Sequence, residues 1–348
     1  MALADVGVVA SDLGQLRMRQ GLYVDASTLF EESALVGQRY LKPDDPEQLR
    51  VGLALADSYR LVSRFSDAKA IYQRIVPVLE KSGPADPTKN PVLDAWPRYA
   101  FVLAEQGDFP TAAVYANKTA DAIRQIPSSQ AVDRASRLAG LADIYCRIRE
   151  LKEADSIARQ ATATLESLAP KDHPALPSAY FILGRTCLDL NNIPEAETYL
   201  RLALQGREKL NGPSHSATAI VAVSLAAVRL AQHRNSDAED LAARSLPILE
   251  KGQGAQSVDV ARTLEIIGAA QRAENDLPAA EASFKKAVNI RSQRQLPTHP
   301  AYIESLRNLD AIYVAEGKKD DSEAIQKQLQ QARVADEGSV VEAKMKTN

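Results

Sequence analysis

The chain has 348 residues with 42 Lys and Arg against 45 Asp and Glu, a formal charge of −3. That near balance argues against a dedicated nucleic-acid binder, whose affinity needs a basic excess facing phosphate. Aromatic residues at 5% with one Trp disfavour β-sandwiches and aromatic-rich sugar sites, two cysteines exclude a disulfide framework or four-Cys zinc site, and no run approaches the roughly 20 apolar residues of a membrane span.

From the N-terminus onward the predicted elements repeat. A small residue following an acidic or small one opens an amphipathic stretch eight times, as DASTLFEES, DAKAIYQRI, TAAVYANKT, EADSIARQA, EAETYLRLA, DAEDLAARS, AAEASFKKA and DSEAIQKQL. The landmark residues are Ala26, Ala68, Ala112, Ala154, Ala196, Ala238, Ala280 and Ser322, spaced by 42 residues except for one interval of 44. Twelve residues ahead of each landmark stands a second small residue, Gly14, Ala56, Ala100, Ala142, Gly184, Ala226 or Gly268, with Asp310 breaking the series. A large residue precedes it every time: Leu13, Leu55, Tyr99, Leu141, Leu183, Leu225, Ile267 and Leu309. Turn-prone Gly21, Gly107, Asn191, Asn275 and Gly317 fall five before their landmarks. Each unit therefore reads helix, tight turn, helix, because helix axes approach to about 8–10 Å only where the crossing residues are small.

The units span approximately 5–42, 46–82, 91–127, 131–169, 174–211, 216–252, 258–295 and 300–334, one solenoid over 1–334. The connectors YLKPDDPE, APKDHPAL, NGPSHSAT and QLPTHPAY put Asp45, His173, His215 and His299 at one repeat position, that of a helix N-cap, with Pro46, Pro174 and Pro300 next. The connector EKSGPADPTKNPVLDAWP is irregular, with a two-residue insertion and Pro84, Pro87, Pro91 and Pro97. An interior proline breaks a helical hydrogen bond, so the third unit is expected either to begin near Asp94 or to kink at Pro97. The last unit ends in the polar stretch KKDDSEAIQKQLQQARVA, which suits a solenoid cap, and 335–348 is expected to be a disordered tail. The first residues, MALADVGVVASDLG, carry no basic segment and do not read as a signal peptide.

This pattern resembles the tetratricopeptide repeat, in the 42-residue variety of kinesin light chains and many bacterial proteins. The likeness covers about 5–334 and rests on the paired small residues, the turn residue, connectors such as GPSHS and LPTHP, and Trp96 near the start of a first helix. HEAT and armadillo repeats have similar periods but lack the fixed small pair. The resemblance implies an all-α, right-handed α-solenoid of about eight helix-turn-helix repeats, whose inner wall comes from the first helices. It departs from kinesin light chains at the Asn just ahead of the large–small pair, which only Asn308 retains; Asp12, Ala54, Arg98, Gly140, Ile182, Ser224 and Ile266 stand elsewhere. The Lys/Asn clamp of chaperone-binding modules is not matched either.

Catalytic motifs such as HExxH, GxSxG, CxxC and a Gly-rich phosphate loop are missing, so no enzyme, cofactor or metal is expected. Equivalent positions in stacked repeats lie near 10 Å apart, too far for the connector histidines to share an ion, and capping is their expected role. Cys146 and Cys187 are expected to be unpaired thiols.

Stepping along each first helix away from its small-residue face selects a groove surface. For partner contact it gives Phe181, Arg185, Leu188, Val223, Ala227, Leu230, Arg262, Arg272, Arg307 and Asn308. The repeat also places Asp143 beside Arg185 and Arg147 beside Asp189, an ion network expected to stiffen the scaffold. The expected function is a cytoplasmic, non-enzymatic scaffold, a monomer that binds a protein or peptide, as an extended segment or a helix, in its groove and engages no nucleic acid or membrane. The alternatives are a self-assembling structural module and the helical arm of a larger enzyme or complex.

Overall fold

The computed structural model describes residues 2–81 and 91–346, with side chains for 6–81 and 91–334. Among these residues there are sixteen α-helices and no strand. They pair as α1 (Ala2–Arg19) with α2 (Tyr23–Tyr40), α3 (Pro46–Leu61) with α4 (Phe65–Lys81), α5 (Val92–Glu105) with α6 (Phe109–Arg124), and α7 (Ala131–Arg147) with α8 (Leu151–Leu168). Then follow α9 (Ala175–Asp189) with α10 (Ile193–Asn211), α11 (Ser216–Ala231) with α12 (Asn235–Gln253), α13 (Val258–Ala273) with α14 (Leu277–Arg294), and α15 (Pro300–Glu316) with α16 (Lys319–Lys346).

The two small residues of each unit lie where the paired helices cross, and all seven landmark alanines are fully buried. Their sizes are matched across the crossing. Where the second helix presents Phe30, Leu200 or Phe284, the first helix offers glycine. A Cβ added to Gly14 would stand 2.8 Å from Phe30, to Gly184 2.8 Å from Leu200, and to Gly268 3.1 Å from Phe284. Where the second helix carries Ala116, Ala158 or Ala242, the first carries Ala100, Ala142 or Ala226, and these alanines are all buried. The second unit is the exception, with Ala56 opposite the fully buried Tyr72; in the other six the residue facing a large side chain is glycine and that facing alanine is alanine. In the eighth unit the same place is polar: Ser322 donates to Asp310 at 2.6 Å and Gln326 to Ser322 at 3.3 Å. Asp310 is therefore a hydrogen-bonded replacement for the small residue.

Every hairpin turns through one left-handed residue, at Gly21, Ser63, Gly107, Arg149, Asn191, His233, Asn275 and Gly317. The following N–H reaches back five residues, for example Leu22 to the Arg17 carbonyl and Lys318 to the Tyr313 carbonyl, which caps the first helix in the Schellman manner. Ser63, Arg149 and His233 adopt this conformation without being glycine or asparagine, so the repeat imposes the turn where composition alone does not signal it. At the other helix ends, Asp45 accepts from the Glu47 N–H at 2.9 Å, and His173, His215 and His299 accept through Nδ1 from the N–H two residues on, at 3.2, 3.0 and 3.2 Å. The connector histidines are helix caps. Cys146 and Cys187 are buried and free, Cys146 in contact with the Thr186 hydroxyl at 2.9 Å.

Helix α5 begins at Val92, ahead of Asp94, and carries Pro97 inside it. Pro84 and Pro87 lie outside the described residues. Residues 335–346, read from sequence as a disordered tail, continue α16 as helix.

The superhelix closes on itself. The turn of the first unit meets the start of the sixth: Ser216 Oγ donates to the Gly21 carbonyl at 2.9 Å across 195 residues of chain, and His215 Nε2 lies 3.2 Å from the Arg19 carbonyl. The second unit meets the seventh in the same way, the Val258 N–H donating to Ser63 Oγ at 3.0 Å. The third meets the junction of the seventh and eighth, Gln295 at the end of α14 donating to Glu105 at 3.0 Å and His299, the cap of α15, lying 6.3 Å from the Phe109 ring between centres. A separation of 195 residues is a little under five 42-residue units, so successive turns pack directly on one another. At each rung the C-terminal end of α1, α3 or α5 faces the N-terminal end of α11, α13 or α15. Side chains meet the free backbone groups at these ends, Ser216 Oγ the Gly21 carbonyl and Ser63 Oγ the Val258 N–H, while Gln295 and Glu105 join side chain to side chain.

Candidate binding chamber

Closure turns the inner wall of the solenoid into a half-enclosed chamber of about 480 Å³. It is walled by the C-terminal halves of α3, α5, α7 and α9 and by the N-terminal halves of α11, α13 and α15. From the first group come Arg60, Phe101, Glu105, Asp143, Arg147, Phe181, Arg185 and Asp189; from the second come Ala217, Ile220, Asp259, Arg262, Ala301 and Glu304.

Much of the wall is an ion ladder. Asp57 holds Arg60 at 2.7 Å and Arg98 at 3.5 Å, and Asp143 pairs with Arg147 at 3.3 Å and with Arg185. Arg147 also pairs with Glu105, one unit earlier, in place of the expected Asp189 one unit later. Half of the expected network therefore forms. Burial would raise the Asp143 carboxyl, but the Arg147 and Arg185 guanidiniums hold it down to about 2. Burial opposes the charge on Arg185 as well, and Asp143 overrides it, so its pKa is raised. Two cations lie against Phe101, Arg147 3.7 Å and Arg60 4.8 Å from its ring centre. The ladder crosses the seam through Glu105 and Gln295 to Arg291, which grips Glu265 in a two-pronged pair at 2.6 and 2.7 Å. Glu105 is buried, yet Arg147, with His299 and Arg291, keeps its pKa low.

Of the groove residues selected from sequence, the chamber brings together Phe181, Arg185 and Arg262. Val223 is 2% exposed and sits in the core between the sixth and seventh units, so its placement on the groove surface is corrected. Leu188, Ala227 and Leu230 are partly buried against the same cores. Arg272 and Arg307 are exposed and Asn308 half-buried, all outside the chamber. The physical reason is the tilt that closure imposes: from α11 onward the N-terminal half of the first helix faces the axis, whereas the selected residues lie mostly in the C-terminal half.

Sequence reasoning missed Tyr23, Arg207, Arg291, Gln295 and His299, which also line the chamber. Arg207 and Arg291 stand on second helices, eleven residues past their landmarks, where other units carry the buried Leu79, Ile123, Leu165 and Leu249. Arginine at an otherwise apolar repeat position is the signal that identifies them.

Comparison with known proteins agrees with this architecture. The family model described as tetratricopeptide repeat matches residues 5–81 and 175–251. A search of curated proteins finds no match. Among solved structures, BtubC (BKLC) from P. vanneervenii is similar over 66% of this chain and 92% of its own, at 20% identity and a TM-score of 0.51. A Rap protein complexed with competence and sporulation factor is similar over 94% of this chain and 98% of its own, at 11% identity and a TM-score of 0.57. The apo form of RapI covers 82% of this chain and 97% of its own, at 13% identity and a TM-score of 0.53. These likenesses carry the fold, a right-handed α-solenoid.

Proposed function

We propose that this chain, whose repeats match the tetratricopeptide-repeat model over residues 5–81 and 175–251, is a protein-interaction scaffold that holds a short extended peptide segment of its partner inside the chamber. The observation that carries the reading is the enclosure itself: seven first helices converge on one space of about 480 Å³, within the range of sites that bury small ligands. A partner helix suits it less well. A helix satisfies its own backbone hydrogen bonds and offers the charged wall only its side chains. A peptide in an extended form makes better use of a wall that combines the Phe101 and Phe181 rings with charged groups that fix orientation. That a similar Rap solenoid was captured with competence and sporulation factor supports the reading by analogy of fold.

On this reading the chain performs no chemistry of its own and acts as a monomer, and its free buried thiols suit a cytoplasmic setting. No described helix is long and apolar enough to cross a membrane. The test is retention of a random hexapeptide pool, read by mass spectrometry, by wild type and by Ile220→Trp, which fills the chamber from α11. Loss of retention with helicity preserved supports the proposal, and equal retention by the two proteins refutes it.

A further inference from the structure

Apart from Arg149, which is exposed, the guanidiniums that line the chamber fall into two sets. Arg60, Arg147, Arg185 and Arg291 are each answered by a carboxylate: Asp57, Glu105 with Asp143, Asp143, and Glu265. Arg262 and Arg207 are not. Arg262, on the inward N-terminal half of α13, has no hydrogen-bond or ion-pair partner among the described residues. Arg207, on α10, donates through Nη2 to Ser178 at 2.7 Å, while its Nε is buried with no partner. Both line the same space.

The acidic groups nearby do not resolve this. Asp189 and Glu304 line the chamber too, but they are exposed and solvated, and Asp259, one turn before Arg262 on the same helix, forms no pair with it. Burial and the like charges of Arg185 and Arg147 outweigh Asp189 and Asp259 and lower the Arg262 pKa, while burial lowers that of Arg207. A guanidinium partly withdrawn from water and left unanswered is disfavoured, and it gains when an anion completes its hydrogen bonds, most effectively a planar carboxylate that meets two N–H groups at once.

We infer that the chamber's ligand bears a carboxylate, received by Arg262, with Arg207 as a second cationic anchor. The inference takes its location from the peptide reading above and adds the ligand's charge. The same carboxylate chemistry occurs in a peptide, at its C-terminus or on Asp and Glu, and in a small free acid, and the peptide is the source we assign.

Three probes separate the possibilities: a random hexapeptide pool with free C-termini; the same pool amidated, with Asn and Gln replacing Asp and Glu; and succinate. Wild type is expected to retain the carboxylate pool over the amidated one by at least about tenfold. Arg262→Gln is expected to lose about 30-fold in affinity, the low end of the loss when one partner of a hydrogen-bonded charge pair is removed, whereas Arg272→Gln, outside the chamber, binds as wild type. Equal retention of the two pools overturns the carboxylate inference and leaves the peptide reading standing. Succinate binding that depends on Arg262, with no peptide retained, upholds the inference and removes the peptide reading. No binding of any probe overturns both. A separate readout guards against a merely structural arginine: in the unliganded protein, Arg262→Gln should leave the thermal midpoint unchanged or raise it, and a fall would overturn the assignment.

Discussion

The size matching across the helix crossings makes a prediction that the structure lets one work through. At Gly184 an added Cβ would stand 2.8 Å from Leu200 Cγ and 3.0 Å from the Leu200 backbone nitrogen. Leu200 is fully buried, so the clash has no easy exit. Gly184→Ala then pays about 1–3 kcal/mol in overpacking and regains about 1 kcal/mol of helix propensity, a net loss of about 0–2 kcal/mol. Leu200→Ala alone empties the crossing and costs about 2–5 kcal/mol. The double variant recreates the alanine–alanine crossing that the third, fourth and sixth units already use. Its destabilisation should therefore fall short of the sum of the singles by the relieved clash, about 1–3 kcal/mol. Urea titrations followed by circular dichroism measure all four proteins. If the two changes add to within about 0.5 kcal/mol, or if Gly184→Ala simply stabilises by its propensity gain, the size-matching account is wrong.

Two further predictions concern the seam. His215 is flanked by Tyr23, Arg207 and the Arg19 carbonyl, and His299 by Glu105, Arg291 and Arg147; burial lowers the pKa of both rings. The unfolded chain, with histidines near 6.5, then takes up protons first, so stability is complete above about pH 6.5 and is lost as the pH falls below it. His215→Asn keeps a capping acceptor without the titration and should flatten the fall in thermal midpoint between pH 7 and 5; an unchanged slope would reject a role for His215. Gly252, in the last turn of α12, has no room for a Cβ between Ser216 Oγ and the Gly21 carbonyl. Gly252→Ala should cost about 1–3 kcal/mol and enlarge the radius of gyration in small-angle scattering with helicity unchanged, whereas an unaltered radius would show that the seam yields.

What could be read from the sequence is what a single unit determines. The landmark alanines, the small residues opposite them and the His and Asp caps all act within one hairpin or between neighbours, so a 42-residue period exposes them directly. The seam could not be read this way. Whether Ser216 reaches Gly21 depends on a small rotation per unit accumulated across nearly five units, and no local pattern encodes that sum. The same accumulation decides which half of each first helix faces the axis. That is why Arg262 and Phe181 lie in the chamber while Val223 lies in the core and Arg272 in solvent. Arg147 illustrates the limit at one residue: the repeat places both Glu105 and Asp189 within a unit of it, and only the folded geometry selects Glu105.

The closed ring also bears on how a ligand enters. Each rung is held by one or two hydrogen bonds, worth about 0.5–1.5 kcal/mol net apiece. Three such rungs supply only a few kcal/mol, small beside the continuous hydrophobic stack that joins consecutive units. The seam is therefore the joint that parts first, and it can open without unfolding any hairpin. Its central element, Glu105, belongs to two structures at once: it pairs with Arg147 in the chamber wall and accepts from Gln295 across the joint. A substitution at Glu105 therefore acts on the chamber wall and on the closure of the ring together.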